Sequence, residues 1–464
     1  FSGNVVLDGV NFEIYPGQVV ALAGENGAGK STLMNILFGM SVIHDTGGYE
    51  GEIIFEGKNV QIQSPQEAMA LGIGMVHQEF MLLPGFTVAR NIKLNRENLV
   101  PSVVSRIAGK NYELLDQGAI IGDAKKALKR LGMEINPQTT VDKLPVGHMQ
   151  FVEIAREIDK KNLKLLVLDE PTAVLTPQEI DDLIKIIRNL TKEGKSVIII
   201  THKLKEIKAI ADHCTVIRRG KYIDTVKVDD VTEDDLATMM VGREVNFKVD
   251  KKEARPTSNV LEIKDLLVKD SRKVSVVDGL SLEVKAGEIL GIAGIDGNGQ
   301  SELVEVLTGL RKAESGSIKV NSKELINKKP KEIFDNGIKN IPEDRHKRGL
   351  ILDFTVAENT VLQNYKDPRF SKNGILNKDA IEKYADEIIE RFDVRPTDHT
   401  VKSRALSGGN QQKVVIAKWV GKKPSIIIMD EPTRGIDIGA KRDIYDLMNE
   451  LTNDGVSIIM VSSE

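Results

Sequence analysis

Hydrophobic positions along the chain fall into short unbroken apolar runs and longer segments with helical spacing. The unbroken runs are typical of strands buried on both faces, and they include Val19–Ala23, Ile73–Val76, Leu165–Leu168 and Val197–Ile200. Between the last two runs, Gln178–Thr191 shows the spacing of an amphipathic helix. This alternation predicts an α/β fold with a mainly parallel sheet. The stretch from about residue 79 to residue 161 is mostly helical in pattern, and we expect it to form a side lobe.

The same sequence landmarks occur twice, in the same order. GENGAGKS begins at Gly24 and GIDGNGQS begins at Gly294, which is 270 residues later. LLVLDEPT contains Asp169 and IIIMDEPT contains Asp430, which is 261 residues later, and three further segment pairs lie between and beyond these. Solenoid repeats have periods of about 20–50 residues, so this much longer period predicts a duplicated domain.

The duplication predicts two α/β domains, at residues 1–246 and 259–464, joined by a linker at residues 247–258. The linker segment is polar and charged, contains Pro256 and lacks a hydrophobic period. Aligning the two halves predicts that about eleven residues precede Phe1 in the complete protein. The same alignment predicts that roughly forty residues follow Glu464.

Composition excludes several classes of protein. The chain has 464 residues with a net charge of −4, which argues against a protein that coats nucleic acid. Its single cysteine, Cys214, excludes a disulfide framework and a cysteine-based metal site. No apolar run approaches the roughly 18–20 residues that a membrane-spanning helix needs, and no signal peptide opens the chain.

A phosphate-binding loop is the strongest chemical signal. The segment from Gly24 to Ser31 matches G-x-x-x-x-G-K-S and lies between a predicted strand and a predicted helix. Its glycines allow backbone N–H groups to surround phosphate oxygens at a helix N-terminus. In such a loop Lys30 would reach the β- and γ-phosphates, and Ser31 would hold Mg²⁺. A merely glycine-rich turn would not explain the Lys-Ser pair at that spacing.

Four polar side chains follow predicted strands in the first half. Asp169 is suited to the Mg²⁺ sphere, and Glu170 is suited to act as a base that orients the attacking water. His202 could reach a γ-phosphate, and Gln78 could bridge Mg²⁺ and the water. Taken alone, His202 and Gln78 are more often packed or solvated side chains, and a solvated strand end would explain the two carboxylates equally well. Beside a phosphate loop, however, the catalytic interpretation is favoured.

A glycine pair opens a predicted helix in the second half. In LSGGNQQ, Ser407 is expected to cap the helix, and Gly408 and Gly409 expose backbone N–H groups. The motif is compatible either with a simple helix cap or with a second anion site.

Taken together, these motifs resemble the ATP-binding subunits of ABC transporters, and the resemblance covers essentially the whole chain. Two fused cassettes are similar to the importers of simple sugars and nucleosides. IPEDRHKRGL and DEPTAVLTP are similar to the nucleoside branch. The resemblance implies two tandem P-loop ATPase domains, each with a mainly parallel sheet and a helical side lobe.

In this family two cassettes pair head to tail, so that each ATP lies between one phosphate loop and the other cassette's signature motif. The first-half residues that the resemblance assigns to site one are Phe1, Gly24, Glu25, Asn26, Gly27, Ala28, Gly29, Lys30, Ser31, Thr32, Gln78, Asp169, Glu170 and His202. Ser407, Gly408, Gly409 and Gln411 complete it from the second half. Catalysis is expected from Glu170, His202 and Gln78, and Mg²⁺ binding from Ser31, Gln78 and Asp169.

Site two departs from the family pattern. Its residues are Gly294, Gly297, Gly299, Gln300, Ser301, Glu343, Asp430, Glu431 and Ser463. Gln300 replaces the lysine, Glu343 replaces the glutamine with a negative charge near the phosphates, and Ser463 replaces the histidine. In its signature partner LPVGHMQ, Pro145 and Val146 replace a serine and a glycine. Because phosphoryl transfer depends on positioned cations and donors, we expect site one to hydrolyse ATP and site two to be degenerate.

The resemblance also implies partners and a location. It predicts two integral-membrane permease subunits, an extracytoplasmic substrate-binding protein and a position on the cytoplasmic face of the cell membrane, with no nucleic acid. The segments 78–91 and 343–359 would face the membrane subunits. Nucleoside import is the favoured function and monosaccharide import the alternative. A tandem cassette that acts on ribosomes is disfavoured, because it would have two complete sites and commonly a long charged helical linker.

Overall fold

The computed structural model describes residues 5–102, 113–160, 162–244, 256–270, 272–294, 297–420, 424–436 and 438–462. The chain divides into two compact units, residues 1–245 (unit one) and 246–464 (unit two). Phe1, Ser463 and most of the proposed linker lie outside the described residues. The domain bounds proposed from the sequence therefore stay a prediction.

Unit one is built from alternating strands and helices. Its strands are β1 (Val19–Ala23), β2 (Ile53–Phe55), β3 (Lys58–Val60), β4 (Ile73–Val76), β5 (Leu99–Val100), β6 (Leu114–Leu115), β7 (Leu165–Asp169), β8 (Ser196–Ile200), β9 (His213–Arg218) and β10 (Lys221–Lys227). Its helices are α1 (Lys30–Leu37), α2 (Ser41–Asp45), α3 (Pro65–Leu71), α4 (Val88–Ile92), α5 (Gln117–Arg130), α6 (Val146–Ile158), α7 (Pro177–Lys192), α8 (Leu204–Ile210) and α9 (Glu233–Val241).

A six-stranded sheet in the order β10-β9-β1-β8-β7-β4 forms the centre of unit one. All neighbours in it are parallel except β9 and β10. Every residue of β1, β4 and β8 is buried, as expected for apolar runs that helices cover on both faces. The sequence prediction of these strands and of the helix that became α7 is confirmed. The sheet brings the carboxyl ends of β1, β4, β7 and β8 to one edge.

Unit two repeats this plan and adds a second sheet. Its strands are β11 (Asn259–Lys269), β12 (Ser275–Lys285), β13 (Ile289–Ala293), β14 (Ser315–Val320), β15 (Lys323–Glu324), β16 (Ile338–Ile341), β17 (Ser371–Lys372), β18 (Ile375–Leu376), β19 (Ile426–Asp430) and β20 (Ser457–Ser462). Its helices are α10 (Gln300–Leu307), α11 (Pro330–Asp335), α12 (Val356–Val361), α13 (Lys378–Arg391), α14 (Gly408–Val420) and α15 (Ile438–Asn453).

The parallel sheet of unit two has the order β13-β20-β19-β16, and an antiparallel sheet has the order β12-β11-β14-β15. One apolar cluster joins the two sheets, since Ile263 and Ile318 belong to the same buried group as Ile428 and Ile459. The predicted α/β class is thus confirmed for both units, and the antiparallel sheet is a feature that the apolar runs did not indicate.

The predicted helical side lobe is also present. In unit one α4, α5 and α6 pack against one another, and in unit two α12 packs against α13 and α14. In unit one a buried ion pair between Lys93 and Asp159 at 3.2 Å reinforces the lobe. Within the described ranges, no helix combines the length and the apolar character needed to cross a bilayer.

Candidate active site

The phosphate loop of unit one connects the buried strand β1 to helix α1. Gly27 has φ +79° and Gly29 has φ +103°, backbone conformations that favour glycine, and they allow the loop to turn tightly into the helix. Lys30 is only 7% exposed, and its Nζ donates to the carbonyl oxygens of Gly24 at 2.7 Å and Glu25 at 3.0 Å. Ser31 lies exposed at the start of α1, followed by Thr32. The loop therefore presents a cation and a hydroxyl at a helix N-terminus.

The carboxylates of unit one lie where β7 ends. Asp169 is the last residue of that strand, and Glu170 follows it with φ +46°, a left-handed conformation that is unusual for a non-glycine residue. The Glu170 N–H donates to the carbonyl oxygen of Ile200 at 2.9 Å, which ties the turn to the end of β8. Glu431 has the same φ of +46° in unit two. The backbone thus presents both glutamates in the same manner.

Glu170, His202 and Gln78 meet at this sheet edge. His202 Nδ1 lies 2.8 Å from Glu170 Oε1, although 32 residues separate them in the chain. Gln78 Nε2 lies 3.5 Å from Glu170 Oε2, which is a long contact. The His202 side chain is 12% exposed and that of Glu170 is 18% exposed. The three residues that the sequence nominated for catalysis are therefore neighbours in the structure.

The two carboxyl groups have opposite pKa shifts. Burial and the adjacent Glu170 charge raise the pKa of Asp169 from 3.8 to about 6, against the effect of the Lys30 ammonium. Burial also opposes ionisation of Glu170. Glu170 accepts a hydrogen bond from His202 and lies near the charges of His202, Lys30 and Lys203. These interactions outweigh burial and lower the pKa of Glu170. Glu170 is therefore ionised at neutral pH.

The loop of unit two has the same backbone form with a different side chain. Gly297 has φ +90° and Gly299 has φ +94°, and α10 begins at Gln300. The Gln300 amide lies over Gly294, so that a Cβ on that glycine would meet it. Ser301 is exposed at the start of the helix. The amide thus replaces the ammonium of Lys30, and the loop lacks that positive charge.

Glu343 follows β16 as Gln78 follows β4, and the sequence predicted that it would add a negative charge to site two. In the structure the Glu343 carboxylate is paired with the Arg434 guanidinium, so a cation accompanies that negative charge. Both side chains are more than a third exposed, so the pair is solvated. Ser462 Oγ lies 3.4 Å from Glu431 Oε2, beside Asp430 at the end of β19. Ser463, the position nominated in place of the histidine, lies outside the described residues.

The two signature segments each begin a helix. The backbone N–H of Asn410 donates to Ser407 Oγ at 3.4 Å, which supports the predicted helix cap. Ser407 is exposed, whereas Gly409 is buried. Gln411 is 6% exposed, and its amide Nε2 donates to the carbonyl oxygen of Ser403 at 3.0 Å. In unit one Pro145 occupies the cap position of α6 and gives no side-chain hydrogen bond.

The oxygen donors of unit one suit a magnesium ion held together with a nucleotide. The Ser31 hydroxyl and the Asp169 carboxylate are ligands of the kind that Mg²⁺ uses together with phosphate oxygens. A cation beside Asp169 would also favour the ionised form, which burial disfavours. Over the described ranges, no cluster of three or more His, Cys, Asp or Glu could hold a metal by itself. This arrangement is compatible with an ion that enters with the phosphates.

Sequence reasoning missed two residues of this region, Arg345 and Arg434. Arg345 belongs to the π-helical turn Arg345–Gly349 and contacts the beginning of α14 and the loop after β19. Arg345 belongs to the segment IPEDRHKRGL, and Arg434 directly follows IIIMDEPT. Their contacts span 66 to 91 residues of chain, so no local pattern indicated them.

Comparison with known proteins agrees with this geometry. The ABC transporter family model matches residues 7–173 and 277–434. Over the whole chain and 88% of each relative, the sequence is 47% identical to the nucleoside import ATP-binding protein NupA of Lactococcus lactis and 46% identical to the guanosine import ATP-binding protein NupO of Bacillus subtilis. It is 41% identical to the ribose import ATP-binding protein RbsA of Bacillus licheniformis, over the whole chain and 90% of that relative.

Among solved structures, an archaeal ribosome recycling factor, aABCE1, matches with a TM-score of 0.60 at 20% identity, over 97% of this chain and 81% of that one. At that identity the match shows the fold alone. The family model covers both units, and it includes the phosphate loop and the DEPT segment of each. The chain therefore belongs to the ABC transporter family.

Proposed function

We propose that this chain is the ATP-hydrolysing subunit of an importer and that hydrolysis takes place at the site of unit one. The observation that carries the proposal is the 2.8 Å contact between Glu170 and His202, beside a complete phosphate loop. A structural protein would have no need of a buried carboxylate held ionised at that position. Perturbed carboxyl groups in such a setting are typical of catalytic sites.

The residues of unit one have distinct roles in this proposal. The ionised Glu170 accepts a hydrogen bond from the attacking water and orients it, and Gln78 is placed to assist. Because an ionised carboxylate only accepts, His202 Nδ1 carries the hydrogen of their shared bond. Lys30 offsets charge on the phosphates, and Ser31 and Asp169 would hold Mg²⁺. When bound, that ion neutralises charge that develops on the phosphate oxygens.

The remaining assignments of site one complete the proposal. The loop from Gly24 to Thr32 would bind the phosphates, and Ser407, Gly408 and Gly409 would provide the signature turn for the same nucleotide. Phe1, which lies outside the described residues, would contact the adenine. Gln411 is engaged inside unit two, and this burial favours a positioning role over direct contact with nucleotide.

Site two would hold nucleotide weakly or without useful turnover. Gln300 supplies no charge, and the Glu343–Arg434 pair leaves little net charge there. The serine proposed for the place of His202 offers no imidazole. Asp430 and Glu431 are retained, so the site keeps both of its carboxylates. The asymmetry rests on the number of positioned cations and donors that surround the γ-phosphate.

We assign nucleosides as the imported substrate, on the resemblance to proteins named for nucleoside and guanosine import. Monosaccharide import is the second candidate, because ribose import proteins are 41% identical. In either case the chain would work at the cytoplasmic face of the membrane, with two permease subunits and an extracytoplasmic capture protein. Action on ribosomes is supported only by a fold-level likeness at 20% identity.

The ATPase asymmetry is tested by Glu170→Gln and Glu431→Gln in the assembled transporter. Loss of a general base costs about 10²- to 10⁴-fold in rate. We expect that loss for Glu170→Gln and a change of less than about twofold for Glu431→Gln, since the latter carboxylate serves the degenerate site. Equal losses from the two substitutions would refute the asymmetry.

The substrate is tested separately with the extracytoplasmic capture protein of the same importer. A ligand present at 100 times its dissociation constant stabilises its protein by about 2.7 kcal/mol, which raises Tm by a few degrees. We expect nucleosides to stabilise the capture protein and ribose or glucose to leave Tm unchanged. Stabilisation by a monosaccharide alone would favour the second candidate and leave the ATPase proposal intact.

A further inference from the structure

The signature turn of unit two lies against a cation that belongs to a different element. Arg345 lies two residues after Glu343, at the start of the π-helical turn that follows β16. A Cβ on Gly408 would meet Arg345 Nη2 at 2.9 Å. The guanidinium is therefore packed against the first glycine of the signature helix α14.

Arg345 also holds the loop that follows β19. Its Nη1 donates to the Arg434 carbonyl oxygen at 2.9 Å, and its Nη2 donates to the Gly435 carbonyl oxygen at 3.1 Å. A planar guanidinium can donate two parallel bonds in this way, which an ammonium cannot reproduce. One side chain thus fixes the carbonyl groups of this loop and touches Gly408.

Gln411 extends the same network into the helix. Its Oε1 accepts from Arg345 Nε at 3.3 Å and lies 2.9 Å from His346 Nε2. Its Nε2 donates to the Ser403 carbonyl oxygen, in the turn that leads to the signature. The first turn of α14 is therefore anchored on two sides by polar contacts.

The corresponding turn of unit one has the opposite charge beside it. A Cβ on Gly147 would collide with the Glu179 carboxylate. Glu179 belongs to the capping box of α7, where its Oε2 accepts from the Thr176 N–H at 2.8 Å. Gly147 has the position of Gly409, so the two contacts lie one residue apart within the same turn. The anion beside the turn of unit one would repel phosphate, whereas the cation beside the turn of unit two would attract it.

We infer that Arg345 is a positioning residue, which holds the signature turn of unit two in its nucleotide-binding form. For this reason the turn of unit two, rather than the one in unit one, would bind the nucleotide of an ATP site. The inference rests on the proposed function, in which Ser407 and Gly408 bind nucleotide. Arg345 acts through the backbone of the signature turn and through Gln411, and it is not itself a catalytic residue.

The test is ATPase kinetics of the assembled transporter with Arg345→Ala, Arg345→Lys and Ser407→Ala. We expect Arg345→Ala to raise KM for ATP by about tenfold, equivalent to about 1.4 kcal/mol, with kcat changed less than about twofold. Arg345→Lys should give an intermediate KM, because lysine keeps the charge and loses the paired hydrogen bonds. Arg369→Ala is the control, since it removes a more exposed guanidinium of unit two that is paired with Asp367, and it should leave both constants unchanged.

Each outcome has a definite meaning. If Ser407→Ala raises KM and Arg345→Ala does not, the inference about Arg345 is overturned while the proposed function stands. If Arg345→Ala lowers kcat in proportion to the amount of folded protein and leaves KM unchanged, its role is structural and the inference is overturned. If neither Ser407→Ala nor Arg345→Ala changes KM, the signature turn of unit two does not serve the ATP site, and that part of the proposed function fails.

Discussion

Replacing His202 should change both the rate and the pH dependence of ATP hydrolysis. In the structure, the ring holds Glu170 through a 2.8 Å contact, in a place where both side chains are less than a fifth exposed. Solvent therefore screens this contact less than it would an exposed ion pair. His202→Ala removes the hydrogen bond and leaves the carboxylate buried without it.

The size of the effect follows from this contact. A hydrogen bond to a charged group is worth about 1.5–3 kcal/mol, which corresponds to roughly a 10- to 150-fold fall in kcat if the bond is needed in the transition state. The pKa of Glu170 is lowered by His202, and burial alone raises it. Without the ring, burial is opposed only by the charges of Lys30 and Lys203, so the pKa of Glu170 rises.

The direction of the pH change follows directly. A base with a higher pKa becomes protonated at a higher pH, so the acid limb of the pH–rate profile should move upward in His202→Ala. The variant should consequently lose more activity at pH 6 than at pH 8. The assay is steady-state ATPase activity of the assembled transporter at saturating ATP.

His44→Ala is the matched control, because His44 is an exposed histidine of α2, a helix outside the site. Its profile should coincide with that of the unaltered protein. A fall in kcat with an unchanged acid limb in His202→Ala would refute the claim that the ring sets the charge state of Glu170. An unchanged kcat would refute its catalytic role altogether.

Two further predictions concern stability and reactivity of the chain without nucleotide. The folded-state pKa of Asp169 is raised from 3.8 to about 6, so the free energy of unfolding falls as pH rises through that interval. Asp169→Asn removes the buried charge and should increase the free energy of unfolding by up to about 3 kcal/mol at pH 7.5. Urea titrations at pH 7.5 and pH 4 would check this, and a gain of equal size at both values would contradict it. Cys214 is fully buried, and burial raises the pKa of its thiol to about 12. Iodoacetamide at pH 8 should therefore label it only after denaturation, and rapid labelling of the folded chain would disprove the assigned burial.

Local sequence patterns accounted for the parallel sheets and the loops at their ends. The apolar runs that became β1, β4, β7 and β8 are continuous in the chain, and burial on both faces requires such continuity. The phosphate loop is likewise a local device, because its turn depends on glycines such as Gly27 and Gly29 in a fixed spacing. The helix cap by Ser407 needs only the residues of the next turn.

Contacts between residues that lie far apart in the chain could not be predicted from the sequence. Glu343 was expected to leave a negative charge beside the phosphates, but Arg434, 91 residues further along, is paired with it. The antiparallel sheet of unit two was likewise not foreseen, since pairing of β11 with β12 and β14 depends on register between separate segments.

The sequence by itself determined that the chain contains two P-loop α/β units, and it predicts that unit one alone has the full set of catalytic side chains. Those properties reside in contiguous motifs, whose chemistry is set by residue type and spacing. Only the tertiary structure decided the charge state of Glu170 and the surroundings of Gly408. Both depend on burial and on side chains brought from other elements, His202 in the first case and Arg345 in the second. Desolvation and Coulomb interaction vary with distance in space, which separation along the chain does not specify.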